Sequence, residues 1–237
     1  MTQDFFARSG FSTPLARQDR FLPIVSARYA ADAPLRLLDV GCGNGEQLFN
    51  LLRHFPKSEA VGIDISAANI DAAMKRVPPP DTERVEFLCA DILSWDAAPF
   101  DVIISDSVVQ NIPNTPGLLH RLACMLKPGA LLLVTMPYDG IYNRLLWTLR
   151  RIARLLAGPG LEHVLLRIAQ RLHPDWETSM IRERLGYIYL LPYSRDGKAF
   201  RVLTQEAGLR LAGVHALPHV SLAQPKHRLL VFHRDPA

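Results

Sequence analysis

Apolar residues recur along this chain with two different periods, and the alternation between them predicts the fold. Leu35–Val40 is a near-continuous apolar run of strand length, with one acid, Asp39, near its end; such a run suits a strand covered on both faces. From Glu46 the period lengthens, and Leu48, Phe49, Leu51, Leu52 and Phe55 mark one face of a helix over Glu46–His54, stopped by Phe55-Pro56-Lys57. Glu59–Ile63 then reads as a second strand, and Ala68, Ile70, Ala73 and Met74 as the inner face of a helix capped by Ser66. After the rigid turn at 78–81, Val85–Cys89 and Phe100–Ile104 read as strands. Thr115–Met125 reads as a helix ended by Lys127-Pro128-Gly129, and Ala130–Thr135 as a fifth strand. Strands alternating with helices in this way predict an α/β, doubly wound, parallel sheet with right-handed crossovers.

The alternation stops at 137. Two amphipathic helical patterns follow: Ile141, Leu145, Leu149, Ile152 and Leu156 on one face, then, after Gly158-Pro159-Gly160, Leu161, Leu165, Ile168 and Leu172. Arginines fall off the apolar stripes, at 144, 150, 151, 154, 167 and 171. An aromatic-rich part comes next, with Trp176, Tyr187, Tyr189 and Tyr193. Regular elements resume with a helix over Ala199–Ala207, closed by Gly208, and two final strands over Leu209–Leu217 and His227–His233. Ahead of the first strand, Thr13-Pro14 is a good helix start, and Leu15–Tyr29 reads as one helix bent at Pro23 or as two short ones. Three parts result: an N-terminal helical segment over 1–34, a core over 35–136 and 199–237, and a helical insertion over 137–198.

Composition narrows the class. The chain has 237 residues, 49% of them hydrophobic and 8% aromatic, which describes one large globular domain with room for an insertion. A net charge of +4 permits acidic partners without demanding them. Cys42, Cys89 and Cys124 have no paired spacing, which argues against disulfides and zinc and for buried reduced thiols. The N-terminus carries Asp4 and Arg8 and no apolar signal core, and no run is long enough to span a bilayer, so a cytoplasmic protein is expected.

The chemistry gathers at LRLLDVGCGNGE, Leu35–Glu46, where a strand passes through a glycine turn into a helix. A dinucleotide fingerprint would need a glycine at position 46, which is Glu46. A carboxylate there would repel a pyrophosphate on the same amides. The loop suits a ligand without phosphates. With Asp39, Gly41, Gly43 and Gly45 in the pattern Asp-x-Gly-x-Gly-x-Gly, the chain resembles the class I S-adenosylmethionine-dependent methyltransferases over roughly 35–136 and 199–234.

The resemblance implies a Rossmann-like seven-stranded sheet, mostly parallel with a terminal antiparallel hairpin, helices on both faces, and S-adenosyl-L-methionine as cofactor with S-adenosyl-L-homocysteine as product. Asp64, with Ile65 beside it, matches the acid that accepts the ribose hydroxyls. Asp91 and the Ile92 amide match the adenine contacts. Asp39 matches the acid that orders the loop of Gly41, Cys42, Gly43 and Gly45 and holds the methionine ammonium, while Ser105 and Asp106 border the sulfonium end. Asp64 alone does not separate this reading from a nicotinamide enzyme; Glu46 and the terminal hairpin do. In the same family a leading segment such as 1–34 often covers the cofactor.

Methyl transfer is an in-line displacement that needs alignment, exclusion of water and, for a neutral nucleophile, a base. The insertion leaves the sheet on the ligand side and is expected as a substrate lid, with Tyr142, Trp176, Tyr187, Tyr189 and Asn111 as candidate substrate contacts to a hydrophobic or aromatic molecule. The acceptor is an O, an N or a carboxylate. Among possible bases, His163, His173, His215 and His219 are candidates by location, His173 and His219 foremost, with His54 and His120 weaker. Gln110 can orient a substrate hydroxyl but takes up no proton at neutral pH. Ser105-Asp106-Ser107-Val108 lacks the Pro-Pro-aromatic turn of amide methylation, and no metal-binding set is visible, so no metal is expected. The alternatives are an enzyme acting on RNA or a membrane-associated lipid through the basic insertion, and a cofactor-binding subunit without turnover. Expected partners are a small-molecule substrate rather than nucleic acid, with peripheral membrane contact and a homodimer left open.

Overall fold

The computed structural model describes residues 20–156, 158–186, 190–219 and 224–235. Strands β1 (Arg36–Val40), β2 (Glu59–Asp64), β3 (Val85–Cys89), β4 (Phe100–Asp106), β5 (Leu126–Pro137), β6 (Leu209–Ala216) and β7 (His227–Arg234) form one seven-stranded sheet, ordered β3-β2-β1-β4-β5-β7-β6. Strands β1 to β5 pair in parallel, and β7 runs antiparallel between β5 and β6. The helices are α1 (Leu22–Arg28), α2 (Glu46–His54), α3 (Ala67–Met74), α4 (Thr115–Cys124), α5 (Ile141–Leu155), α6 (Pro159–Leu172), α7 (Thr178–Gly186) and α8 (Lys198–Glu206). This is the expected doubly wound sheet with a terminal antiparallel pair.

Successive strand residues point to opposite faces, and each face has its own core. Leu38, Ile103, Leu132 and Leu230 pack with Leu118 and Leu122 of α4 and Phe200 of α8. Leu37, Val102, Leu131 and Val231 pack with Leu48 and Leu52 of α2, Ile70 of α3 and Val25 of α1. Both faces are covered, which is why these strands read as continuous apolar runs.

Several local expectations are revised. Pro23 sits in the first turn of α1, where its missing N–H costs nothing, so it starts the helix rather than bending it. The predicted start at Thr13-Pro14 lies outside the described residues. Strand β5 begins at Leu126, four residues before Ala130, because Leu126 pairs with Phe100 ahead of an irregularity in the register. Helix α7 forms where the pattern showed only scattered aromatics. Cys42 is buried, but Cys89 and Cys124 are exposed: Cys89 ends β3, the edge strand, and Cys124 ends α4.

The largest revision concerns α5. Its buried residues are Asn143, Trp147 and Arg150, and its apolar stripe faces outward. The inward side is held by Asn143, whose Nδ2 donates to the carbonyls of Tyr138 (2.7 Å) and Lys226 (2.8 Å) while its Oδ1 accepts from Lys226 N (2.8 Å). A wholly buried amide with all these bonds made fixes the start of α5 against the chain entering β7.

Candidate active site

Strands β1 and β4 are neighbours whose connections leave toward opposite edges of the sheet, the switch point at which open α/β sheets place the ligand crevice, beyond the carboxyl ends of the strands. The loop after β1 is shaped by glycine. Gly41, Gly43 and Gly45 have φ of 77°, 54° and 78°, a region other residues rarely enter. A Cβ on Gly41 would stand 2.2 Å from Val108 Cγ2, and one on Gly45 2.7 Å from Phe87 Cζ. The amides of Gly41 and Cys42 both donate to the Ile63 carbonyl, at 2.7 and 3.0 Å, and Gly43 N donates to Asp64 Oδ2 at 3.0 Å. Ser66 N (2.9 Å) and Asn69 Nδ2 (3.1 Å) also donate to Asp64. Three donors fix this partly exposed carboxylate, and about four acceptor sites on it leave room for a ligand hydroxyl.

At the start of α2, Glu46 N donates to the side-chain oxygen of Asn44 (3.4 Å), and the Glu46 carboxylate pairs with Arg76. An acid therefore occupies the helix terminus that a pyrophosphate would need. Arg76 offsets its charge, so the argument against a diphosphate ligand rests on occupancy as well as on repulsion.

The other acids stand where the register puts them. Asp39 lies opposite Gly62 and Ile104 and is 2% exposed. Asp91, just past β3, accepts from Leu93 N at 2.9 Å, beside the buried Ile92. Ser105 Oγ donates to the Val40 carbonyl (3.1 Å), tying β4 to β1. Asp106 accepts from Thr135 Oγ1 (2.5 Å) and Ser107 Oγ (3.1 Å), and Arg20 stands 3.6 Å away. Ser107 itself has φ 63°, strained backbone just past the carboxyl end of β4. Burial, with the charges of Asp39 and Asp64, raises the Cys42 pKa, so its sulfur stays a thiol that fills space in the loop.

A second group of buried polar residues lies on α5 and β7. Arg150 is 9% exposed, donates from Nη1 to the Leu190 carbonyl (3.1 Å), and burial pushes its pKa down. One turn earlier, Trp147 Nε1 is buried and meets no acceptor among the described residues. His227 opens β7 opposite Pro137 and donates from Nδ1 to the Pro225 carbonyl (2.8 Å), which leaves Nε2 as the basic nitrogen. Burial pushes the His227 pKa below 6.5, against the Pro225 bond and the charge of Asp106; Arg20 and Arg150 add to the downward push. Asp106, Arg20, Arg150 and His227 thus share one electrostatic environment.

The sequence candidates divide. Tyr142 meets His219 edge to face at 5.1 Å, with Lys226 Nζ 4.8 Å from the tyrosine ring, so these three stand together at the start of α5. Gln110 is buried and donates Nε2 to the Ser107 carbonyl (2.8 Å), and its Oε1 meets no donor among the described residues. Asn111 Nδ2 donates to the same carbonyl at 3.0 Å. His173 is exposed and stacks on Trp176 at 4.2 Å in the turn between α6 and α7. Among the described residues, the ring contacts of that pair are with each other and not with the strand ends. Tyr187 and Tyr189 lie outside the described residues. Arg20, Trp147 and His227 were not singled out in the sequence, and Arg150 was read only as one of the arginines off the apolar stripe. His227 had a usable signal, because the first residue of an antiparallel final strand falls beside the carboxyl ends of its parallel neighbours.

A family profile described as a methyltransferase domain matches residues 31–158. The trans-aconitate 2-methyltransferase of Acidovorax sp. (strain JS42) is 40% identical over 113 residues, 47% of this chain and 42% of that protein. The trans-aconitate 2-methyltransferase of Methylobacterium radiotolerans is 35% identical over 136 residues, 56% of this chain and 48% of that protein. The match thus spans less than half the length of these curated relatives. Among solved structures, the magnesium protoporphyrin IX methyltransferase of Synechocystis PCC 6803 with bound S-adenosylhomocysteine superposes with a TM-score of 0.62 at 16% identity, covering 92% of this chain and 81% of that one. The [4+2]-cyclase SpnF superposes at 0.60 with the same identity and coverage, so this likeness speaks for the fold alone.

Proposed function

The chain belongs to the class I S-adenosylmethionine-dependent methyltransferases, and from that membership we propose that it methylates a carboxylate oxygen of a small organic acid. The inward face of α5 carries the reading. It sets a buried guanidinium, Arg150, one turn from a buried indole N–H, Trp147, that has no acceptor among the described residues. An unmet buried donor costs roughly 1–3 kcal/mol, which an incoming carboxylate would offset. A guanidinium recognises that group by charge and by its forked geometry. The curated relatives, named for trans-aconitate, support the same acceptor class. The expectation of a hydrophobic pocket walled by the apolar face of the insertion loses its basis, since that face points outward.

The residues at the strand ends fit the cofactor. The left-handed glycines after β1 turn the chain sharply at the end of that strand, and the partly exposed Asp64 carboxylate keeps acceptor capacity beside them. Asp64 would take the ribose hydroxyls, Asp91 and the Ile92 amide the adenine edge, and Asp39 with the glycine loop the methionine ammonium; Ser105 and Asp106 would border the reacting end. When bound, S-adenosylmethionine supplies a methyl carbon activated by its sulfonium. Arg150 and Trp147 would hold the acceptor acid, and Gln110 would orient it. Helices α5 to α7 would serve as the lid that excludes water, and the N-terminal segment, whose Arg20 reaches Asp106, would cover the cofactor. A carboxylate is already ionised at neutral pH and needs no base. The basic Nε2 of His227 favours a second reading, a hydroxyl acceptor deprotonated by that imidazole.

Base treatment separates the two. Incubation with methyl-tritiated cofactor and a panel of mono-, di- and tricarboxylic acids should give counts that alkali releases as volatile methanol, the behaviour of a methyl ester. Arg150→Ala should raise KM by about 10-fold or more with a smaller change in kcat. An alkali-stable product, abolished by His227→Gln, would replace the carboxylate reading with the hydroxyl one.

A further inference from the structure

Helix α5 has its faces reversed. Its buried side is Asn143, Trp147 and Arg150, whereas Ile141, Leu145, Leu149, Ile152 and Leu156 form a stripe between 48% and 88% exposed. Helix α6 continues the pattern: Val164, Ile168 and Leu172 recur at helical spacing and are 49% to 70% exposed. Apolar stripes of this length on the surface of a folded chain mark a contact with something else.

Charge identifies what that is. Residues 141–172 hold six arginines and a single glutamate, a net +5, against +4 for the whole chain. All of the chain's basic excess therefore resides in this helical pair. Arg144 is tied to Asp139 at 2.9 Å. Arg151, Arg154, Arg167 and Arg171 are exposed and make no ion pair among the described residues. We propose that α5 and α6 dock the protein on an anionic membrane surface, the aliphatic stripe entering the acyl boundary and the arginines lying among the headgroups. Among the described residues no helix is long and apolar enough to cross a membrane, so the contact is interfacial. A lipid surface supplies apolar depth and negative charge together. A second copy would bring two surfaces of the same positive sign into contact.

Sedimentation of the full chain with vesicles tests this. Phosphatidylcholine vesicles containing phosphatidylglycerol should carry the protein down, pure phosphatidylcholine should carry far less, and high salt should weaken binding. Leu149→Ser/Ile152→Ser and Arg151→Glu/Arg154→Glu should each lower the partition coefficient by about 10-fold or more, with melting temperature and S-adenosylhomocysteine affinity unchanged, since both pairs project from the outer side of α5. Failure to bind either vesicle, or binding insensitive to lipid charge and to both variants, would overturn the proposal. So would light scattering that shows a dimer lost in Leu149→Ser/Ile152→Ser, which would assign the stripe to a second copy, or vesicle-independent capture of an acidic protein through it.

Discussion

Gly41→Ala tests how the glycine loop is built. An alanine at 41 meets two penalties. Its backbone must hold φ 77°, a left-handed conformation that costs a non-glycine residue roughly 1–2 kcal/mol. Its Cβ would also stand 2.2 Å from Val108 Cγ2, and relieving such overpacking typically costs about 1–3 kcal/mol. The two together come to roughly 2–5 kcal/mol. In a chain of this size each kcal/mol shifts the melting temperature by about 2–4 °C, so Gly41→Ala should melt roughly 4–20 °C below wild type. Gly129→Ala is the control: its φ is 73°, yet a Cβ there meets nothing within 4 Å, so it carries the backbone cost alone. Melts followed by circular dichroism give the comparison. Trimming the opposing side chain in Gly41→Ala/Val108→Ala should recover the overpacking share relative to Val108→Ala. If Gly41→Ala and Gly129→Ala melt together, within about 0.5 kcal/mol, Val108 yields freely and the close approach is not a constraint.

Three further outcomes follow from other parts of the fold. Asp196 is buried and accepts from Arg201 at 2.9 and 3.2 Å, with Arg228 at 3.4 Å; Asp196→Ala should lower unfolding free energy by about 3 kcal/mol in urea titrations, and a loss under about 1 kcal/mol would show the pairs to be screened. Ser66 caps α3 by accepting from Asn69 N at 3.4 Å, and Ser66→Ala should cost about 1 kcal/mol by the same measurement. His227 has a folded pKa below 6.5, so the unfolded chain binds the proton more readily; the stability held by the neutral imidazole is present above 6.5 and lost as pH falls through the lowered value. Wild type should therefore lose stability on acidification below 6.5 more steeply than His227→Gln, and parallel profiles would contradict the burial argument.

The core of the fold was legible because the central strands β1, β4 and β5 are covered on both faces, so their sequences are near-continuous apolar runs. The glycine loop was legible because left-handed backbone admits little else. The substrate side was not, for a physical reason visible in α5. Periodicity reports which residues share a face, and it assumes that the apolar face turns inward. Here Asn143, Trp147 and Arg150 turn inward and the leucines turn out, so the correct stripe led to the wrong wall. His173 and Trp176 illustrate a related limit: sequence proximity did not disclose that the two rings stack on each other. His227 became visible only when strand direction was added to strand position.

Calorimetric titration of S-adenosylhomocysteine into the purified protein tests the central claim most directly. Micromolar binding is expected in wild type, weakened by Asp64→Ala because that carboxylate both receives the ligand and pins the Gly43 amide, with no heat from NAD. Absence of binding to a folded protein, or binding of NAD in its place, would contradict the cofactor site described at the ends of β1 and β2.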